Sequence, residues 1–355
     1  MRARVKDRFA GALIGTAVGD SVGLPAEGLS RSRARRFFKG EWRQRLLPGI
    51  GMISDDTEHT IFVAQALLVS SNPQEFARRL AFSLRWWLLA LPAGVGFGTL
   101  RAIMRLWCGI SPRKSGVHSA GNGAAMRVAP IAVLFADQPE KLKNFVRAST
   151  EVTHRDERAN TGALAVAKTI AWCVSNDTDS RPGIELWTEL LRNCARNDQD
   201  WAGLVDEITE AATADRSVVD FADNIGLSTG VTGYVYHTVP VALYAWYRHF
   251  GDYEKTLTAV FDCGGDTDTT GAIAGALAGV VVGPSGIPAS WKSGLRDWPR
   301  GLPLLNRLAD SLARVSESAE PAQPLRYCWL AVPLRNFVFL IVVLAHGFRR
   351  LLPPY

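Results

Sequence analysis

Along most of the chain apolar residues recur at helical spacing, and alternating apolar–polar runs are scarce. Residues 9–19 are apolar and rich in Ala and Gly, which predicts a buried helix that lets neighbours approach closely. Arg2, Arg4, Lys6 and Arg8 before it give a superficial likeness to a secretory leader. The run meets Asp20 at once and no small-x-small cleavage site precedes it, so an ordinary core helix is the better reading. Asp20 and Glu27 fall in the Gly/Pro-broken loop expected next. Helices are predicted within residues 51–68, 73–90 and 99–107, with a glycine-rich loop at 91–98. Further helices are predicted within 119–134, 153–171, 233–247 (after a turn, and carrying Pro240), 261–279, 286–298 and 304–313. The polar stretch 176–202 reads as a surface crossing between helices. The pattern predicts an all-α, compact multi-helix bundle and excludes a parallel-sheet enzyme.

Past residue 315 the pattern changes. Residues 316–325 have linker composition, and 326–355 form the most hydrophobic part of the chain. A domain at 1–315, a linker and a C-terminal extension are therefore expected. The longest uncharged run, 336–348, falls short of the roughly 20 residues a membrane-spanning helix needs. Extending it back to residue 328 buries Arg335, at about 3 kcal/mol for a charge at mid-membrane, and encloses Pro333. Three readings stay open: a docking or membrane-associating tail, packing on the domain's own surface, and, third, a span.

Composition adds less. A formal charge of +6, from 40 basic and 34 acidic residues, suits an anionic small molecule as well as nucleic acid. Much of the basic excess lies in Arg31, Arg33, Arg35, Arg36, Lys39, Arg43 and Arg45, with Phe37, Phe38 and Trp42 interleaved. That combination occurs in nucleic-acid binders, yet a solvated helix face with core aromatics explains it more simply. Five widely spaced cysteines with no C-x-x-C pair argue against a disulfide framework and a zinc finger, and fit a reducing, cytoplasmic compartment.

The chemistry gathers at two helix starts. Ser54, Asp55, Asp56 and Thr57 open one run, and Asp266, Asp268, Thr269 and Thr270 follow Gly264 and Gly265 at the other. Capping accounts for one acid at each start, and Asp55 with Glu58 could form a capping box, but the second acid of each pair is left over. Carboxylates and hydroxyls without cysteine favour hard cations such as Mg²⁺ or Mn²⁺. Four unpaired carboxylates packed together would repel, and two divalent ions would remove the conflict. Glu27 could add a fifth. Gly121, Asn122 and Gly123 lead into a helix whose backbone N–H groups could face an anion, although neither a Walker loop nor a dinucleotide fingerprint is present. His154 stands just before another helix, where a structural or capping role is the commoner one.

Taken in order, GDSVGLPAEG, SDDT, SAGNGAAMRVAP, THRDERANTGA, GYVYHTVPVALY and GGDTDTTGA resemble the motifs of the ADP-ribosylglycohydrolase family, from about Arg8 to Ala313. That family includes dinitrogenase reductase-activating glycohydrolase and the ADP-ribosyl-acceptor hydrolases. The resemblance implies an all-α orthogonal bundle with two Mg²⁺ or Mn²⁺ ions in a central cleft. It implies metal ligands at Ser54, Asp55, Asp56, Asp266, Asp268 and Thr269, with Ser54 standing where Thr is common. Glu27 matches a mobile glutamate that closes over the site. Gly121, Asn122 and Gly123 match a loop contacting the diphosphate and proximal ribose, and His154 a residue lining the cleft. The tail lies outside the resemblance.

The implied reaction is hydrolysis of the bond from C1″ of the distal ribose to an acceptor, arginine on a protein being the leading one. Serine, a small conjugate such as O-acetyl-ADP-ribose and a modified nucleic-acid base stay open. Among Asp55, Asp56 and Asp266, the general base is not singled out. The rival is a binding module, an ADP-ribose reader or an immunity protein that occludes a toxin. Nucleic acid is not expected as a partner.

Overall fold

A computed structural model describes residues 2–176, 180–318 and 320–351. In chain order its helices begin with α1 (Arg2–Gly23), α2 (Arg31–Phe38), α3 (Asp55–Val69), α4 (Pro73–Leu89), α5 (Phe97–Trp107) and α6 (Pro112–Ser115). There follow α7 (Ala129–Leu134), α8 (Pro139–Glu151), α9 (Glu157–Asn176), α10 (Ile184–Arg192), α11 (Gln199–Thr213) and α12 (Val218–Asn224). The series ends with α13 (Val235–Arg248), α14 (Tyr253–Phe261), α15 (Thr267–Gly286), α16 (Ala289–Gly294), α17 (Leu302–Ser318) and α18 (Ala331–Arg349). No sheet forms among the described residues; extended pairing is confined to isolated bridges between loops. The fold is all-α, as the spacing of apolar residues predicts.

The centre of the bundle is the antiparallel pair α1 and α15. Gly11, Gly15, Gly19 and Gly23 recur every fourth residue on one face of α1, and Gly271, Gly275 and Gly279 do so on α15. A Cβ on Gly15 would lie 2.1 Å from the carbonyl oxygen of Gly275, and one on Gly19 would lie 2.0 Å from that of Gly271. Backbone therefore packs on backbone, and the contact sets the axial register of the two helices. That register matters because Asp20 near the end of α1 and the acids opening α15 are brought to the same end of the bundle. Around the pair one core extends from Phe9 to Ala313 and encloses Trp87, Trp187, Trp201 and Trp246.

Three expectations change. Asp20 is a helical residue inside α1, fully buried, and does not belong to the loop carrying Glu27. The stretch 176–202 is more than a surface crossing: Trp187 and Leu191 bury one side of α10, whose apolar residues sit at helical spacing within a polar sequence. Residues 177–179 of it lie outside the described residues. Asp55 and Glu58 do not form a capping box: Ser54 caps α3 by accepting the N–H of Asp56, and Glu58 is buried against Arg300 and Trp87.

The C-terminal region packs on the domain. The helix α17 runs on to Ser318, and beyond it Ala322 donates its N–H to Leu68 O while Gln65 bonds both backbone groups of Leu325. α18 then lies across a small apolar cluster of Leu24, Leu46, Met52 and Ala93 through Phe339.

Candidate active site

Four loops meet at the mouth of the α1–α15 end. Gly265, in the left-handed conformation (φ 82°), is stitched between two of them. It exchanges backbone hydrogen bonds with Leu29 and Gly28 on one side, while Gly264 and Asp266 bond Val231 on the other. A Cβ on Gly265 would stand 1.9 Å from Val231 O, so only glycine fits. A third loop joins through Asn122 N–H to Gly233 O, and a fourth through the bridge of Val117 with His154.

The result is a cleft of about 750 Å³ whose lining includes Glu27, Asp55, Gly121, Asn122, Gly123, His154, Asp266, Asp268 and Thr269. Of the ligand, catalytic and substrate-contact residues expected from the resemblance, all except Ser54 and Asp56 open into it. Those two form a layer immediately behind. Ser54 Oγ donates to Asp56 Oδ2 at 3.1 Å, and Thr269 Oγ1, 213 residues further along the chain, donates to the same oxygen at 3.2 Å. The two acidic helix starts thus touch directly.

Neither acid pair is spent on capping. Asp266 occupies the N-cap position of α15 but makes no cap bond; its Oδ2 accepts from the Asn122 amide at 2.7 Å. Asp56 Oδ1 and Asp268 Oδ1 are buried without a hydrogen-bond partner. Burial is the largest cause pushing Asp55, Asp56 and Asp268 well above the usual carboxylate range. The neighbouring carboxylates add to it: Asp20, Glu27 and Glu58 for Asp55; Asp55, Asp20 and Asp266 for Asp56; Glu27, Asp266 and Asp56 for Asp268. Glu27 reaches into water at the rim, yet protein crowds it, and that crowding with the Asp266 charge pushes it up to about 7 against the pull of Arg350. Orphaned buried carboxylate oxygens in an oxygen-only donor set fit a hard divalent cation. Among the described residues, however, no three His, Cys, Asp or Glu side chains already converge as a ligand cluster.

His154 forms one wall. Burial, with Arg127 nearby, lowers its imidazole to about 3, so the ring is neutral, and Nδ1 is paired with Thr153 Oγ1 at 2.8 Å. A Cβ on Gly123 would lie 3.0 Å from His154 Cε1, and one on Gly121 would lie 3.1 Å from Nε2. These glycines are accordingly a matched surface for the ring.

Several supports escape the sequence reading. Asp20 accepts the N–H groups of Ser54 and Thr57 and the Thr57 hydroxyl, holding the SDDT turn from beneath, and burial raises it to about 6. Fully buried Arg127 clamps Gly123 O at 2.7 Å together with Ser149 and Thr153, which fixes the glycine loop to the His154 segment. A charged residue inside the apolar run AAMRVAP was its only signal. The least visible support comes from the tail. Asp297 accepts Ile53 N–H and Arg335 of α18 donates to Ile53 O and to both Asp297 oxygens, bracing the residue before Ser54. Arg350 donates to Glu27 O at 2.7 Å and Pro25 O at 2.9 Å, bracing the Glu27 loop.

The basic segment 31–45 has the simpler form. Phe38 and Trp42 are core residues stacked 4.8 Å apart, while Arg33, Arg35, Arg36, Lys39 and Arg43 face solvent.

Comparison with known proteins agrees with the motif order. The family model for ADP-ribosylglycohydrolase matches residues 1–322. An uncharacterized protein of Archaeoglobus fulgidus is 33% identical over 300 residues, covering 82% of this chain and 93% of that protein. The ADP-ribosyl-[dinitrogen reductase] glycohydrolase of Rhodospirillum rubrum is 28% identical over 299 residues, covering 82% of this chain and 91% of that one. ADP-ribosylhydrolase ARH3 of Homo sapiens is 25% identical over 366 residues, covering 89% and 96%. A solved ADP-ribosylglycohydrolase-related protein complex superposes with a TM-score of 0.63 at 28% identity, covering 88% of this chain and 99% of that one. With its acid pairs joined across one cleft and the family model spanning nearly all of it, the chain belongs to the ADP-ribosylglycohydrolase family.

Proposed function

We propose that this member of a family of ADP-ribose-conjugate hydrolases cleaves the C1″ glycosidic bond of ADP-ribosyl-arginine on protein, with two Mg²⁺ or Mn²⁺ ions bound. The observation that carries the reading is the junction of the two acidic helix starts at Asp56 Oδ2, directly behind a cleft lined by Asp55, Asp266 and Asp268. A volume of about 750 Å³ suits a dinucleotide-sized ligand. Ser54, Asp55, Asp56, Asp266, Asp268 and Thr269 would hold the ions, and the unpartnered oxygens of Asp56 and Asp268 support that assignment. Bound there, the ions supply positive charge that neutralises the carboxylates and polarises the distal ribose hydroxyls and a water.

The chain's own residues do the rest. Water adds to C1″ as the bond to the acceptor nitrogen breaks, its proton passing to a carboxylate and the leaving group taking up a proton. Asp55 and Asp266 line the cleft and are the candidates to take that proton, whereas Asp56 stands behind them. The neutral His154 ring with Gly121 and Gly123 gives a flat wall for the ADP portion, and the Asn122 amide orients Asp266. Glu27 at the rim closes the opening over the ribose.

Incubation of the purified protein and Mg²⁺ or Mn²⁺ with Arg-, Ser- and O-acetyl-linked ADP-ribose, following free ADP-ribose, tests the assignment. Release from the arginine conjugate is expected, with Asp55→Asn and Asp266→Ala each lowering it by about 10²-fold or more. Undiminished turnover in both variants, or release from none of the substrates, would overturn the reading. In the latter case an ADP-ribose-binding or occluding role takes its place.

A further inference from the structure

The helix α18 buries Arg335 and Asn336 beside Val332 and Phe339, and the side it exposes is apolar. Arg335 and Asn336 are 9% and 0% exposed, while Leu334, Phe337 and Phe348 are 67%, 61% and 67% exposed. Asn336 donates to Ala90 O, and His346 pairs with Leu46 O at 2.6 Å. The inward side therefore combines hydrogen bonding with apolar packing through Val332 and Phe339, and the outward side, including Ile341 and Leu344, carries no charge from 336 to 348. A helix on a water-facing surface ordinarily turns charged and polar residues outward. Two other helices are as long and comparably apolar, but their most apolar windows are 100% and 67% buried in the core, against 22% for α18. Standing apart from the core, its outer face calls for an apolar environment of its own.

The surroundings indicate which one. The His346 contact sets the C-terminal half of α18 against the loop that follows α2, and α2 and that loop expose Arg33, Arg35, Arg36, Lys39 and Arg43. Glu41 interrupts this cluster and pairs with Arg45. Trp329, 66% exposed, stands at the other end of the helix. An apolar helix face with a tryptophan at one end and a basic cluster at the other matches an anionic lipid surface, with rings and aliphatic side chains in the interface and arginines at the headgroups. Pairing of two copies across this face would leave both basic clusters without an anionic partner. Burial of Arg335 in its ion pair with Asp297 keeps the helix flat on the domain and argues against a span. We infer that α18, with the basic face of α2, docks the intact protein on anionic membranes.

Sedimentation of the full-length protein with vesicles of phosphatidylcholine alone, or mixed with phosphatidylglycerol, tests the inference. The wild type is expected in the pellet with the mixed vesicles only, and binding should fall as salt rises. Phe337→Glu with Ile341→Glu should weaken it by at least about tenfold, with ADP-ribose release in solution unchanged. Should that pair fail to fold, Arg35→Ala with Arg36→Ala on exposed α2 positions is expected to weaken binding to the mixed vesicles by a few fold. Wild-type protein left in the supernatant at low salt would overturn the inference. So would light scattering that finds a dimer which the Phe337→Glu, Ile341→Glu pair splits, since the face would then be an interface between copies.

Discussion

Replacing Arg335 by Met removes a charge that joins the tail to the segment preceding Ser54. Arg335 donates to both oxygens of Asp297 and to Ile53 O, and lies 3.8 Å from Glu58. The Asp297 side chain is 0% exposed, so the substitution strands a carboxylate that water cannot reach. Breaking a buried pair from one side costs about 3–5 kcal/mol. For a chain of this size, at about 2 °C per kcal/mol, the melting temperature should fall by roughly 6–10 °C. Burial already holds the Asp297 carboxyl above its usual value despite Arg335, and losing the guanidinium raises it further. A carboxyl raised in the folded state favours folding below its unfolded pKa and loses that contribution as pH rises through the folded value. The deficit of Arg335→Met should therefore be smaller at pH 5 than at pH 8. Urea melts at both pH values, extended to Asp297→Leu and the double variant, give the coupling. The double variant should be less destabilised than the sum of the singles by about 1.5 kcal/mol or more. Because Ile53 precedes Ser54, ADP-ribose release should drop as well. Simple additivity, or a single-variant cost under about 1 kcal/mol, would refute the reasoning.

Gly15→Val should prevent the α1–α15 contact, since even its Cβ meets Gly275 O at 2.1 Å; a loss above about 3 kcal/mol or insoluble expression is expected, and a wild-type melt would contradict the backbone packing. His154 is buried with its ring lowered to about 3, so its contribution to stability is complete above its unfolded value near 6.5 and drains away as pH falls toward 3. His154→Gln should flatten the acid limb of a stability–pH curve over that window. The upward-shifted Asp55, Asp56 and Asp268 work in the opposite sense, costing stability as pH rises, and a divalent cation should relieve that cost. Mg²⁺ or Mn²⁺ at about 100 times its Kd should add about 2.7 kcal/mol at neutral pH, less in Asp268→Asn, and an unshifted melt from EDTA to millimolar ion would count against the metal assignment.

The acidic residues of the site were legible in the sequence because their chemistry is local. A helix start carrying one acid more than a cap requires can be recognised without knowing what lies opposite, and Asp55, Asp56, Asp266 and Asp268 are of that kind. Asp20 was not legible in its role, since one acid after an apolar run looks like a helix end. Its function, holding Ser54 and Thr57, exists only once α1 lies beside α3. Glu58 was legible only as half of a capping box, because Arg300 and Arg335, its partners, are more than two hundred residues away.

The sequence by itself determined an all-α chain, a small-residue helix able to approach its neighbours closely, and two acidic helix starts belonging to one kind of chemistry. These follow from spacing along a helix and from which side chains carry oxygen, properties a residue has wherever it is placed. Tertiary structure alone decided that Ser54 and Thr269 share one oxygen of Asp56, that Ser54 and Asp56 stand behind the cleft, and which way the tail faces. Hydropathy registers how apolar the tail is, but not that Arg335, Asn336 and His346 all lie on its inward side with partners waiting there. Direction is a property of packing, and buried partners for polar groups exist only after distant segments have met.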